Sequence, residues 1–162
     1  VHDIDGIRFV TGREIVQVVA VGANKGEAYF AESDDVDTGA ALLTLDDGTI
    51  AIICETRYNA AGYDVRLEAL GAKDSLVAGL TEHTPLSLAD GRLLEDGSPY
   101  TGFLERFGAA YAAEMRAFLR VVSGQAESPC PPEEALEAFY VAEACERSRR
   151  EQRAVTIEEV RK

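Results

Sequence analysis

The sequence predicts an α+β fold, an open, mixed but largely antiparallel β-sheet with two long helices on one face. Strand-like segments rich in Val, Ile and Leu fill the first half of the chain, and two long amphipathic segments fill most of the second. Strands that precede helices, rather than alternating with them, are typical of an α+β layer. With 162 residues, 46% of them hydrophobic, we expect one domain, residues 1–162, with a substantial core.

The first elements are a short helix and three strands. The segment "HDIDGIRFVTG" places its isoleucines on one helical face and ends at Gly12, a typical helix-terminating residue. We expect it to be the last turns of a helix whose start lies outside the chain. Residues 14–23 follow as a strand, and after a polar excursion residues 36–45 and 49–59 flank "DDG", a tight-turn signal in which Gly48 can adopt a positive φ.

The remaining strands are shorter. Residues 63–70 alternate between apolar and polar side chains, and residues 76–80 return as their partner. Residues 85–91 are a weaker candidate for a sixth strand. The two long helices are then predicted over 103–124 and 132–150.

The second long helix is well delimited by its own sequence. It begins with a proline and two glutamates, which suit the first turn of a helix. Its apolar stripe is predicted to run through Leu136, Phe139, Tyr140 and Ala144, and residues 154–157 form a short last strand.

Charge and cysteine content exclude several classes of function. A net charge of −13 repels phosphate backbones and anionic lipid surfaces, so we expect neither nucleic acid nor membrane as a partner. No transmembrane run or signal peptide is recognisable. Three widely spaced cysteines and two histidines give no disulfide framework and no metal site, which fits a reducing cytoplasm. Cys54 and Cys145 are expected to be small buried residues.

Few residues stand out for chemistry, because the chain has no glycine-rich nucleotide fingerprint and no nucleophile or metalloprotease motif. His2 is the best candidate, since histidine is the usual general acid or base at neutral pH. The alternative is a surface histidine near a chain end. His83, in the turn "TEHTP", is predicted to be a plain loop residue.

Tyr63 and Arg57 are weaker candidates for substrate contacts. Tyr63 follows a glycine at the start of the alternating strand, and its alternative role is an aromatic at the rim of the helix-packed face. Arg57, like Arg66, could instead pair with a strand carboxylate.

Four segments, in order, resemble the C-terminal domain of the Gfo/Idh/MocA oxidoreductases, with most similarity to the inositol 2-dehydrogenase branch. They are "HDIDGIRFVTG", "GYDVRLEALGAKDSL", "RFGAAYAAEMRAFLRVVSGQ" and "ALEAFYVAEACERSRREQRAVTI". Each segment by itself is weak evidence of the family. Together they occur in the order and spacing of the family and extend over nearly the whole chain. The resemblance implies a complete protein with an N-terminal domain that binds NAD or NADP, and a C-terminal domain for substrate contacts and oligomerisation.

The resemblance also implies roles for single residues. His2 matches the family's catalytic histidine, whereas the catalytic lysine, the aspartate one helical turn earlier and the cofactor fingerprint are expected outside this chain. Tyr63 matches the "GYD" tyrosine near the polyol, and Arg57 is a further substrate-binding candidate. Asp3 and Asp5 match the two aspartates of the family's "HDxD" motif and are expected to tie the helix to its surroundings. No metal is implied.

The sequence therefore predicts the C-terminal domain of an NAD(P)-dependent oxidoreductase that oxidises a secondary hydroxyl of a cyclic polyol or sugar, such as myo-inositol. This chain alone is expected to be inactive. One alternative is a non-catalytic ligand-binding or dimerisation module of the same fold. Another is a family member that acts on a different carbonyl or sugar substrate. We also expect a homo-oligomer, a dimer or tetramer, formed through the open sheet face.

Overall fold

A computed structural model describes residues 1–92 and 97–161, which divide into two compact units. The first unit contains Val1–Tyr58 and the chain from Pro129 onward, and the second contains Asn59–Ser128. The elements in chain order are α1 (His2–Thr11), β1 (Ile15–Ala23), α2 (Ala28–Glu32), β2 (Thr38–Leu45), β3 (Ile50–Thr56), β4 (Leu67–Leu70), β5 (Ser75–Ala78), α3 (Phe103–Val122), α4 (Pro132–Glu151) and β6 (Val155–Thr156).

The first unit is built on a four-stranded antiparallel sheet in the order β3-β2-β1-β6. Val18 in β1 sets the register, because it lies opposite Leu43 of β2 and Val155 of β6. The predicted β2–β3 hairpin is confirmed. Its turn residue Gly48 has φ 86°, and its N–H donates to the Leu45 carbonyl over 2.9 Å.

The core lies between one face of this sheet and the helices α1 and α4, which confirms the α+β fold with an open antiparallel sheet. Its buried apolar residues come from α1, β1, β2, α4, β6 and the 3₁₀ turn after β6, and include Ile4, Val18, Leu43, Val141 and Val155. The helices that contribute to this core are α4 and the short α1, whereas the other long helix, α3, lies in the second unit.

The predicted apolar stripe of α4 is wrong in its first half. Leu136 and Phe139 are 47% and 60% exposed, although both are large and apolar. The buried face is instead made of small side chains, namely Ala138, Val141, Ala144 and Ser148. Small residues allow the helix backbone to approach the sheet closely, and this requirement outweighs side-chain hydrophobicity.

The second unit contains α3 and a two-stranded antiparallel sheet of β4 and β5. The strand predicted at 63–70 is paired only from Leu67 onward. The strand predicted at 85–91 is wrong, since these residues form turns with an isolated bridge at Ser87.

Candidate functional site

His2 lies in the first turn of α1 and is exposed to solvent. Two residues later, Ile4 is 6% exposed and belongs to the core. Residues two apart on an α-helix point about 200° apart around the axis. Because Ile4 is buried, His2 points away from the core, and its imidazole is accessible to a ligand.

The residue after His2 connects α1 to the end of β3. The carboxyl group of Asp3 lies near that of Glu55 and affects its protonation. Burial and, after it, the hydrogen bond and charge of Asp3 raise the pKa of the Glu55 carboxyl. This acidic pair was not foreseen from the sequence, because Asp3 and Glu55 are far apart along the chain.

Arg8 is a second residue that sequence reasoning missed. Its side chain is 6% exposed and forms ion pairs with three carboxylates, those of Asp5, Glu14 and Glu134. The bond to Glu14 is bidentate, with Nε and Nη2 donating over 2.8 and 2.9 Å. The 3.3 Å bond from Arg8 to Asp5 lies within α1, so the expectation that Asp5 ties the helix to its surroundings stays a prediction.

Arg57 follows directly after β3 and is exposed. Its guanidinium carbon lies 5.5 Å from the centre of the Phe30 ring, and its Nη2 is 3.9 Å from an Asp35 carboxylate oxygen. Arg66 pairs with Asp64, whose carboxylate oxygen is 3.0 Å from its Nε, but neither residue lies in a strand. The partner of Arg57 lies beyond α2, so neither arginine makes the cross-strand pair given as the alternative. The role of Arg57 toward a substrate stays a prediction.

Tyr63 belongs to the second unit and is half-buried. Its N–H donates to the Tyr100 carbonyl over 2.7 Å, and its ring packs edge-on against Phe107 with centroids 6.2 Å apart. His83 is more constrained than a plain loop residue, since its ring lies 4.6 Å from that of Tyr100 and its Nδ1 is 2.7 Å from the Ser98 carbonyl oxygen. The hydrogen bond to the Tyr100 carbonyl and the packing against Phe107 hold Tyr63 in place, and its role toward a substrate stays a prediction.

The cysteines differ from the prediction in one case. Cys54 is exposed, on the face of the sheet opposite the core, so its predicted burial is wrong. Cys145 is half-buried beside the core, and burial, reinforced by the charge of Glu55, raises the pKa of its thiol to about 11. A thiol with so high a pKa is a poor nucleophile at neutral pH.

The face of the sheet opposite α4 carries large apolar side chains on three neighbouring strands. Leu42 in the middle lies opposite Val19 on one side and Ile52 on the other. Their exposures are 44%, 41% and 69%, and Val21 and Ile50 are 65% and 67% exposed. The predicted open apolar sheet face is therefore present. We call these five residues the open sheet face.

Over residues 1–92 and 97–161, no three His, Cys, Asp or Glu side chains are grouped so that they could hold a metal ion. Within the same ranges, no helix combines the length and apolar character needed to cross a bilayer.

Comparison with known proteins identifies the family. The profile described as "Oxidoreductase family, C-terminal alpha/beta domain" matches residues 1–157. The chain belongs to the Gfo/Idh/MocA oxidoreductases. Within this family it is 38% identical to "Myo-inositol dehydrogenase Hyg17" of Streptomyces leeuwenhoekii, over 91% of the chain and 44% of the relative. It is 32% identical to "Uncharacterized oxidoreductase YrbE" of Bacillus subtilis, over 100% of the chain and 48% of the relative.

Solved structures of dehydrogenases have the same fold. A probable dehydrogenase from Thermotoga maritima superposes with a TM-score of 0.86 at 30% identity, over 98% of this chain and 48% of that one. A scyllo-inositol dehydrogenase from Lactobacillus casei, with bound NAD(H) and scyllo-inositol, gives 0.84 at 31% identity, over 97% and 46%. The chain thus spans about half the length of the relatives it matches.

Proposed function

We propose that the protein containing this chain is an NAD(P)-dependent dehydrogenase that oxidises a secondary hydroxyl of a cyclic polyol, such as an inositol, to a ketone. The observation that carries this proposal is the similarity, over nearly the whole chain, to myo-inositol and scyllo-inositol dehydrogenases. Residues 1–162 would serve as its C-terminal substrate-binding and oligomerisation domain.

We assign His2 as the residue that accepts the hydroxyl proton. Its exposure and its direction away from Ile4 support this role, because a base must reach the substrate oxygen. Tyr63 and Arg57 are proposed to hold other hydroxyl groups, since a phenol and a guanidinium both donate hydrogen bonds. A phenol can also cover the apolar face of a ring.

The nicotinamide, when bound, would accept the hydride that leaves the same carbon. We propose that NAD or NADP is held mainly by residues outside this chain, which itself would supply the polyol contacts. In support, the Lactobacillus casei structure holds both NAD(H) and scyllo-inositol, and the present chain covers 46% of that protein, so more than half of it lies outside the matched region. We further propose a cytoplasmic location, supported by the thiol state of Cys54 and Cys145.

The test is turnover of the full-length protein with myo-inositol, scyllo-inositol and an acyclic polyol, each with NAD and with NADP. Reduced nicotinamide should appear with at least one inositol, and His2→Ala should lower kcat by about 10²- to 10⁴-fold, the contribution typical of a positioned base. Unchanged kcat in His2→Ala would reject the assignment of His2. Binding of an inositol without any turnover would favour a non-catalytic module.

We propose in addition that the protein is a homo-oligomer joined through the open sheet face. Exposed apolar patches of this kind mark interaction sites, and several aligned side chains on adjacent strands form one. Light scattering should show a dimer or tetramer that Ile52→Lys dissociates. Val122→Lys, an equally exposed apolar position at the end of α3, is the matched control and should leave the mass unchanged. A monomeric wild-type protein would contradict this proposal.

A further inference from the structure

Every nitrogen of the Arg8 guanidinium donates a hydrogen bond. Nε and Nη2 hold the Glu14 carboxylate, Nη2 also donates to the Glu134 carboxylate over 2.7 Å, and Nη1 donates to the Glu134 carbonyl over 3.0 Å and to Asp5. We call Arg8 with these three acidic residues the Arg8 cluster. The carboxylates of Glu14 and Glu134 raise the pKa of the Arg8 guanidinium, and the hydrogen bond and charge of Arg8 lower the pKa of the Glu14 carboxyl.

The cluster joins three elements that are distant in sequence. Arg8 is in the last turn of α1, Glu14 directly precedes β1, and Glu134 is in the first turn of α4. Lysine could not replace the arginine here, because an ammonium cannot make a planar bidentate bond and reach two further acceptors at fixed angles. The arrangement is therefore specific in geometry as well as in charge.

Stability alone is a weak explanation for such a group. Burying an ion pair costs several kcal/mol per ion in desolvation, and apolar side chains of similar volume often replace buried pairs at no loss of stability. Orientation is a better explanation, because α1 has only ten residues and such a short helix does not hold its own conformation in water. Its direction is set by what it contacts, chiefly Ile4 in the core and Arg8 in the cluster.

We propose that Arg8 is a positioning residue for His2. The two lie six residues apart on one continuous helix, so a rotation or tilt of α1 moves the imidazole at its start. The Arg8 cluster prevents this by fixing the far end of α1 to α4 and to the start of β1. The inference rests on the proposed function, in which His2 accepts the substrate proton.

The experiment is a double-mutant cycle in the full-length protein, with His2→Ala, Arg8→Met and the two combined, well below their melting temperatures. Misplacement of a catalytic group by about 1 Å costs up to about 100-fold in rate, so Arg8→Met should lower kcat by about 10- to 100-fold. It should leave the affinity for NADH unchanged and alter the pH dependence of kcat. In the His2→Ala background, the same substitution should change kcat by less than about twofold, because its effect acts through the imidazole.

Two further variants keep the test decisive. Arg8→Lys retains the charge and should fold with an intermediate loss of kcat, which decides the question if Arg8→Met does not fold. Arg13→Met is the matched control, since Arg13 is half-exposed and pairs with Asp47, and it should keep wild-type turnover. Faster deuterium exchange at the α1 amides of Arg8→Met should accompany the loss of activity.

The results separate this inference from the proposed function. Wild-type kcat in His2→Ala rejects the role of His2, whatever Arg8 does. Wild-type kcat and pH profile in a folded Arg8 variant, or an equal loss in both backgrounds, would show that Arg8 is only structural.

Discussion

Ser148 provides the sharpest test of how α4 is attached to the sheet. Its side chain is fully buried in the middle of the interface. Its hydroxyl accepts a hydrogen bond from the Ala20 N–H of β1 over 2.9 Å and donates one to the Arg153 carbonyl over 2.5 Å. One hydroxyl therefore satisfies two backbone groups, at the strand and at the turn between α4 and β6.

Ser148→Ala leaves both backbone groups without this partner. An unsatisfied buried polar group costs about 1–3 kcal/mol, so two of them cost about 2–6 kcal/mol when the site stays dry. Alanine is the better helix former by about 0.5 kcal/mol, which offsets a small part of the loss. We expect the free energy of unfolding to fall by about 2–5 kcal/mol.

Chemical denaturation followed by far-UV circular dichroism measures this change, since the chain has no tryptophan for fluorescence. Ser123→Ala is the control, because Ser123 is exposed and caps only the end of α3, and its effect should stay within about 0.5 kcal/mol. If Ser148→Ala were as mild as the control, the Ala20 and Arg153 groups would have other partners. The role of Ser148 in joining α4 to β1 would then be wrong.

Three further predictions concern buried or paired carboxylates. Asp37→Ala removes a 2% exposed acceptor of two backbone N–H groups and should lower the melting temperature by roughly 5 °C or more, measured by calorimetry. Glu55→Gln should raise the free energy of unfolding at neutral pH by up to about 1 kcal/mol. The raised pKa of Glu55 beside Asp3 means that its stabilising protonated form is lost as pH rises, so the gain should vanish in acid. Arg153 lowers the pKa of Glu159 from 4.5 to about 2, so the wild-type melting temperature should fall as pH drops through that window, and more steeply than in Glu159→Gln.

Local sequence determined the elements whose signals are short-range. Gly12 ends α1 with φ 63°, and Gly48 forms the β2–β3 turn with φ 86°, both conformations that favour glycine. The β-branched run of β1 and the proline at the start of α4 were also sufficient to place those elements. The family resemblance, which depends on motif order along the chain, likewise needed no coordinates.

Only the tertiary structure decided which side chains each element buries and which distant groups meet. Periodicity could not identify the buried face of α4, because alanines and larger apolar residues occur on several sides of the helix. In the folded chain, the side with the small residues packs against the sheet. No sequence pattern singled out Arg8, and folding brings Glu134 to it from 126 positions away. Asp3 and Glu55 meet in the same way. A sequence pattern reports on neighbours within a few residues, whereas the burial and pairing of a charge depend on surfaces that meet only in the folded chain.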